Sequence, residues 1–282
     1  MNTSWKRKPK IERGIICGCD AAQEWLLPWW WARYSLYNSY PVLFCDFGLS
    51  KKARAWCQER GQVISIPWDE KWIKSREEVP LALQKIWMKW NKTEKYWGYR
   101  PSLFKKPFAM LESPFITTIW LDIDCEVLTS LDDLFSFCTP ETPLGLSEWY
   151  DKLYSQQFSC PIVHNGGVVV FRHGIDIFSK QAAFILEWNH QFYAEDNVLS
   201  FLIFQTDFPI FTLEKEWNWL IADYGPNIFA HIAHWNLISK KALLKHDGMK
   251  PFRDNYHGIP SDLPPTSALL RASAFGLETQ IN

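Results

Sequence analysis

Asp122 and Asp124 stand two residues apart at the end of the apolar run Phe115-Ile116-Thr117-Thr118-Ile119-Trp120. β-Branched and aromatic residues leading into two carboxylates read as a buried strand with an acidic tip. On a strand, side chains at i and i+2 share a face, so both carboxylates would point the same way. Like charges placed side by side repel unless something positive lies between them. A hard divalent cation, Mg²⁺ or Mn²⁺, is the simplest such partner, and it grips phosphate as well. The bland alternative is a strand that ends in solvent with two acids. D-x-D alone does not separate the two, so the elements around it must.

Gly14 to Asp20 reads as a strand ending in an acid, and Ala21 to Tyr37 as a helix in which Pro28 marks a kink or a late start. Tyr40 to Asp46 is a second strand, Ser50 caps a helix running to Arg60 that Gly61 closes, and Gln62 to Ile66 is a third strand. This alternation predicts a parallel sheet with helical crossovers, whose ligands sit beyond the carboxyl ends of the strands. Asp20, Asp46 and the Asp122/Asp124 pair all fall at such ends. Residues 68–104 read as helix plus loop, and a helix over Pro107 to Glu112 leads into the strand that bears the D-x-D.

The second half differs. Ile162 to Arg172 is a strand broken by Gly166 and Gly167, where a ligand or another backbone could approach closely. Phe178 to Phe192 and Asp196 to Phe204 read as helices, and Asn227 to Trp235 alternates as a strand. Glu195 and Asp196 fit a helix N-terminus, where carboxylates complement the dipole, or a reacting centre. The chain divides into a basic N-terminal extension (1–13), one α/β domain (14–257) and a loosely attached tail (258–282).

Composition narrows the classes. Thirty Lys and Arg nearly balance thirty-one Asp and Glu over 282 residues, so no global field favours nucleic acid. Phosphate binding must come from a local arrangement. Seven cysteines lie in no regular framework, which points to reduced, buried thiols in a cytoplasmic protein. No run reaches the ~18 apolar residues of a membrane span, and Met1 to Arg13 lacks the apolar core of a secretory signal. Seventeen tryptophans include Trp25, Trp29, Trp30 and Trp31 together and Trp87, Trp90 and Trp97 together. They are either packing or flat surfaces for sugars and bases, with peripheral membrane contact as a further use.

The order Asp20, Lys106, Asp122-x-Asp124, Asn165-Gly166-Gly167, Glu195-Asp196-Asn197, Trp217-Asn218, His234 resembles glycosyltransferase family 8 over roughly residues 14–252. The resemblance implies a GT-A-type, Rossmann-like mixed and mostly parallel sheet flanked by helices. It implies a metal-dependent hexosyltransferase that retains anomeric configuration and takes a nucleotide-diphosphate sugar, with uracil as the base. The acceptor would be a saccharide, a lipid-linked molecule or a protein.

Carried over by position, the resemblance puts Asp20 at the base and ribose and Lys106 at the donor. Asp122 and Asp124 become ligands of Mn²⁺ or Mg²⁺, with Asp122 also near the ribose. Asn165, with Gly166, contacts the donor sugar. Glu195 and Asp196 lie near the reacting carbon, with Asp196 the first choice to face an oxocarbenium-like transition state. His234 completes the metal shell, and Lys240 matches the phosphate-loop lysine. Leu237 and Lys241 depart from the family's glycine and proline, and His246 is a rival to His234 as third ligand. Two other classes fit a D-x-D: a catalytically silent relative that serves as a binding module, and a nucleotidyl- or phosphoryl-transferring enzyme. The second would show its acidic motif on the first strand or a glycine-rich phosphate loop near the N-terminus, and this chain has neither.

Overall fold

The computed structural model describes residues 5, 8–91, 93–149, 158, 160–225 and 227–236. Along the chain run β1 (Ile11–Cys19), α1 (Leu27–Ser35), β2 (Val42–Asp46), α2 (Lys51–Gln58), β3 (Gln62–Ser65), α3 (Leu81–Asn91), α4 (Lys95–Tyr99) and α5 (Lys106–Met110). They are followed by β4 (Phe115–Leu121), β5 (Cys125–Val127), α6 (Asp132–Ser136), β6 (Leu144–Trp149), β7 (Val163–Arg172), α7 (Ile177–Trp188) and α8 (Glu195–Thr206). Then come β8 (Phe211–Leu213), β9 (Trp219–Leu220), α9 (Ile221–Tyr224) and β10 (Ile232–His234).

Seven strands form one sheet in the order β3-β2-β1-β4-β7-β6-β8. All run parallel except β7, which is antiparallel to both β4 and β6. The parallel β1, β2 and β3 are those that the strand–helix alternation predicts, and the mixed, mostly parallel sheet is the one that the family resemblance implies. Pro28 sits in the first turn of α1, where a missing N–H costs nothing, so it marks a late start and not a kink. Ser50 caps α2 by accepting from Ala53 N.

Alternation along the strands sorts side chains onto two faces. Ile15, Cys17, Ile119, Leu121, Val168 and Val170 join Trp29, Trp30 and Trp56 under α1 and α2. Ile16, Trp120, Val169 and Phe171 join Phe108, Phe178 and Val198 under α5, α7 and α8. Each such side chain removed from water contributes about 1.5–3 kcal/mol. A third cluster, Val79, Leu83, Trp87 and Tyr96, holds much of residues 68–104 together, with Tyr96 stacked on Tyr193. Trp29, Trp30 and Trp87 are fully buried, so these tryptophans pack the core and offer no open face to a sugar.

Several boundaries differ from the sequence reading. β1 begins at Ile11, inside the stretch read as an extension, and the Trp5 indole donates to Ile175 O. β10 covers only Ile232–His234 of the predicted 227–235 strand. It pairs with β5 and β9 in a separate three-stranded sheet, too short for periodicity to reveal. The D-x-D lies just beyond β4, in the turn that leads to β5. Asp122 and Asp124 therefore come together through a turn, closed by Cys125 N donating to Asp122 O, and not through strand pleating. The apolar Ile123 between them continues the strand's alternation and hides its end. Lys240, Lys241, Leu237, His246 and the 258–282 tail lie outside the described residues. All seven cysteines are buried thiols.

His164 on β7 is 3% exposed, and neither ring nitrogen has a hydrogen-bond partner. Burial pushes its pKa down to about 4. Between that value and the ordinary value near 6.5 the unfolded chain binds more protons, so stability is full above this window and falls as pH drops through it. His164→Phe should flatten the acid limb, removing about 3 kcal/mol of pH-dependent loss. Urea unfolding measured at neutral and at weakly acidic pH checks this; an unchanged slope refutes it.

Candidate active site

The site forms where β4, β7, β10 and the start of α8 meet. β4 delivers the turn, and Asp122 N donates to Gly167 O at 2.8 Å, which ties that turn to β7. β10 pairs His234 with Cys125, one residue past Asp124, and Trp235 N donates to Asp124 O at 2.9 Å. Below, Trp235 Nε1 donates to the fully buried Glu126, which lies 3.4 Å from Arg33 Nε. The small sheet thus holds the histidine beside the acidic turn.

His234 Nε2 lies 3.5 Å from Asp124 Oδ1 and 3.9 Å from Asp122 Oδ2. Asp124 and His234 are buried, and one ligand atom of each of the three residues lies within 4.8 Å of the others. Both nitrogen–oxygen separations are too long for a hydrogen bond. Two ligands about 2.1 Å from an octahedral ion stand about 3 Å apart, so the spacing suits a small divalent cation. Two hard carboxylates and one imidazole are a donor set for such an ion.

Lys106 stands on the other side of Asp122. Its Nζ is 3.1 Å from Asp122 Oδ1 and 2.8 Å from Glu195 Oε1, and it donates to Gly166 O at 2.8 Å. Burial alone would lower its pKa, but the Asp122 and Glu195 carboxylates more than offset this and hold the ammonium charged. The Trp120 indole donates to Asp122 Oδ1 at 2.6 Å and lies under the Lys106 ammonium.

Glu195 and Asp196 open α8. Burial raises the Glu195 carboxyl and Lys106 pulls it back, while Gln181 Nε2 donates to Glu195 O. Asp196 is half-buried, and burial with the adjacent Glu195 charge pushes it up to about 7. A helix N-terminus favours a carboxylate. Here burial wins.

The glycine pair has a function the sequence reading did not find. A Cβ on Gly166 would stand 3.1 Å from both Glu195 Oε1 and Lys106 Nζ. One on Gly167 would lie 2.2 Å from His234 Cε1 and 2.4 Å from Nδ1. The close approach is therefore made by the protein's own side chains. Gly167→Ala should expel the imidazole and weaken Mn²⁺ binding more than tenfold, a loss of at least about 1.4 kcal/mol. Calorimetric titration checks this, and wild-type affinity would contradict it.

Among the remaining site residues, Asn165 Oδ1 accepts from Gly167 N and from Asn218 Nδ2. Asp20 stands at the end of β1, the strand beside β4, and its Oδ1 accepts from Ala22 N within its own turn. Asp46 is a turn-former: Oδ1 accepts from Gly48 N and Leu49 N, and the other oxygen pairs with Arg54. His231 packs its ring on Trp217. Trp120 and Asn218 were not assigned roles from sequence. Asn218 is nonetheless a polar residue beside a tryptophan just before a strand, and it is 2% exposed.

No protein-family model and no curated protein matches the chain. Solved structures do. The galactosyltransferase LgtC, in complex with donor and acceptor sugar analogs, aligns with 78% of this chain and 86% of its own at 16% identity and a TM-score of 0.55. The glycosyltransferase GlyE of Streptococcus pneumoniae TIGR4 aligns with 95% of this chain and 64% of its own (15% identity, TM-score 0.54). The mannosyltransferase Ktr4p of S. cerevisiae, in complex with GDP, aligns with 68% and 66% (10% identity, TM-score 0.51). The chain has the GT-A glycosyltransferase fold.

Proposed function

We propose that the protein is a glycosyltransferase that moves a hexose from a UDP-sugar to a saccharide, lipid-linked or protein acceptor, with retention of configuration. The observation that carries this reading is the Asp122, Asp124 and His234 cluster at the carboxyl end of β4, with Lys106 against its flank. The fold shared with sugar-transferring proteins supports it.

Asp122, Asp124 and His234 would hold Mn²⁺ or Mg²⁺. A bound divalent cation supplies Lewis-acid neutralisation of a departing nucleoside diphosphate. Lys106 adds a permanent positive charge at the same place, and Lys240, outside the described residues, is its proposed counterpart at the phosphates. Asp20 at the end of β1 binds base and ribose. Asn165 and Gly166 line the sugar. Glu195 is engaged by Lys106, which leaves Asp196 to stabilise positive charge developing on the sugar. No helix among the described residues is long and apolar enough to cross a membrane. The proposed setting is the cytoplasm, with peripheral membrane contact where the acceptor is lipid-linked.

Thermal-shift screening of nucleotide sugars with and without Mn²⁺ tests the reading. A ligand at a hundred times its Kd adds about 2.7 kcal/mol to the folded state. A UDP-hexose should raise Tm with Mn²⁺ and much less without it. If no nucleotide sugar moves Tm in either condition, the reading fails.

A further inference from the structure

We infer that Asn218 is a positioning residue that sets the tautomer of His234, at the end of a one-way chain of hydrogen bonds starting at Gly167 N–H. This rests on the cation-site reading above.

Gly167 N–H can only donate, so the Asn165 atom that meets it at 2.9 Å must be oxygen. That oxygen also meets the Asn218 side chain at 2.9 Å, and a second oxygen there would repel it. The Asn218 atom facing Asn165 is therefore its NH₂. Its carbonyl oxygen is then the atom 3.0 Å from His234 Nδ1, where a hydrogen bond forms only if Nδ1 carries the proton. A neutral imidazole protonated on Nδ1 has its lone pair on Nε2, the nitrogen that faces Asp124 and Asp122. Ambiguity in amide and imidazole orientation is removed at every step by one backbone N–H of β7.

Burial makes the direction matter. Asn218 and His234 are 2% and 4% exposed, so water does not substitute for a lost partner. The ring lies against Gly167, where a Cβ would fall 2.2 Å from Cε1 and 2.4 Å from Nδ1. The same chain commits Asn165 Oδ1 twice and leaves its NH₂ as the group able to donate to a ligand. An outer-shell partner of this kind is worth about 10–100-fold in metal affinity.

The test compares wild type, Asn218→Ala and Asn218→Asp. In the metal-free protein at mildly alkaline pH, long-range proton–nitrogen NMR should find the His234 proton on Nδ1. Asn218→Ala should mix the tautomers and weaken Mn²⁺ binding, followed by electron paramagnetic resonance, about 10–100-fold. Asn218→Asp keeps an acceptor at Nδ1 but sets oxygen against Asn165 Oδ1. It should lower Tm while keeping the tautomer, with affinity close to wild type, a split that a merely structural residue would not produce. A wild-type proton on Nε2, or an Asn218→Ala protein that binds Mn²⁺ like wild type, overturns the inference. The tautomer is read without any cation, so a chain running the other way overturns this inference alone. A wild-type protein that takes up no Mn²⁺ overturns both it and the function it rests on.

Discussion

Asp122→Ala and Asp124→Ala should each lower Mn²⁺-dependent cleavage of a UDP-sugar by about 10³-fold or more, equivalent to at least about 4 kcal/mol of lost transition-state stabilisation. Each removes one of the two hard carboxylates from a three-ligand set, and the two remaining groups hold a divalent cation poorly. The fold should survive, because the bonds that build the turn come from the backbone: Asp122 N to Gly167 O, Cys125 N to Asp122 O and Trp235 N to Asp124 O. Removing the Asp122 side chain still leaves Lys106 paired with Glu195. Asp122→Asn is the sharper form, since its amide oxygen accepts from Trp120 Nε1 while the charge is gone. Steady-state turnover beside a thermal melt checks all three, and wild-type turnover in any of them removes the metal assignment.

Lys106→Met should do two separable things. It strips the buried Glu195 of its cation, and breaking a buried pair from one side costs about 3–5 kcal/mol. With Lys106 absent, burial and the Asp122 charge both act to raise the Glu195 carboxyl further. The double variant Lys106→Met/Glu195→Gln removes the stranded charge and should recover most of that stability in urea. Donor turnover should stay down about 10²-fold or more in both, since charge stabilisation at the leaving group is lost either way. Recovered turnover in the double variant would show Lys106 to be a structural partner of Glu195 and nothing more.

Much of the frame was legible because its signals are local. The runs ending at Asp20, Asp46 and Asp122 are strands or strand ends, and Ser50 marks a real cap. Asn165 and the glycines belong to β7, and Glu195 and Asp196 open α8. What stayed hidden depends on contacts far apart in sequence. β5, β9 and β10 hold two or three residues each, too few for any period, and only their pairing puts His234 beside Asp124. Trp29, Trp30 and Trp87 carry the composition of a sugar platform, but packing under α1 and in the third cluster consumes them. Gly166 and Gly167 marked a place of close approach, but for side chains and not for the ligand or backbone expected there. Only the structure shows that the approaching groups are Lys106, Glu195 and His234.

The seven sequestered sulfurs have a practical consequence. Thiols at Cys17, Cys19, Cys57, Cys125, Cys138 and Cys160 are held above their ordinary pKa by burial, and Cys45 is equally enclosed. Alkylating reagents consume thiolate, so the native chain should be nearly inert to them while folded. A single cysteine introduced on the rim would then accept a fluorophore or spin label by itself, with no need to rebuild the interior.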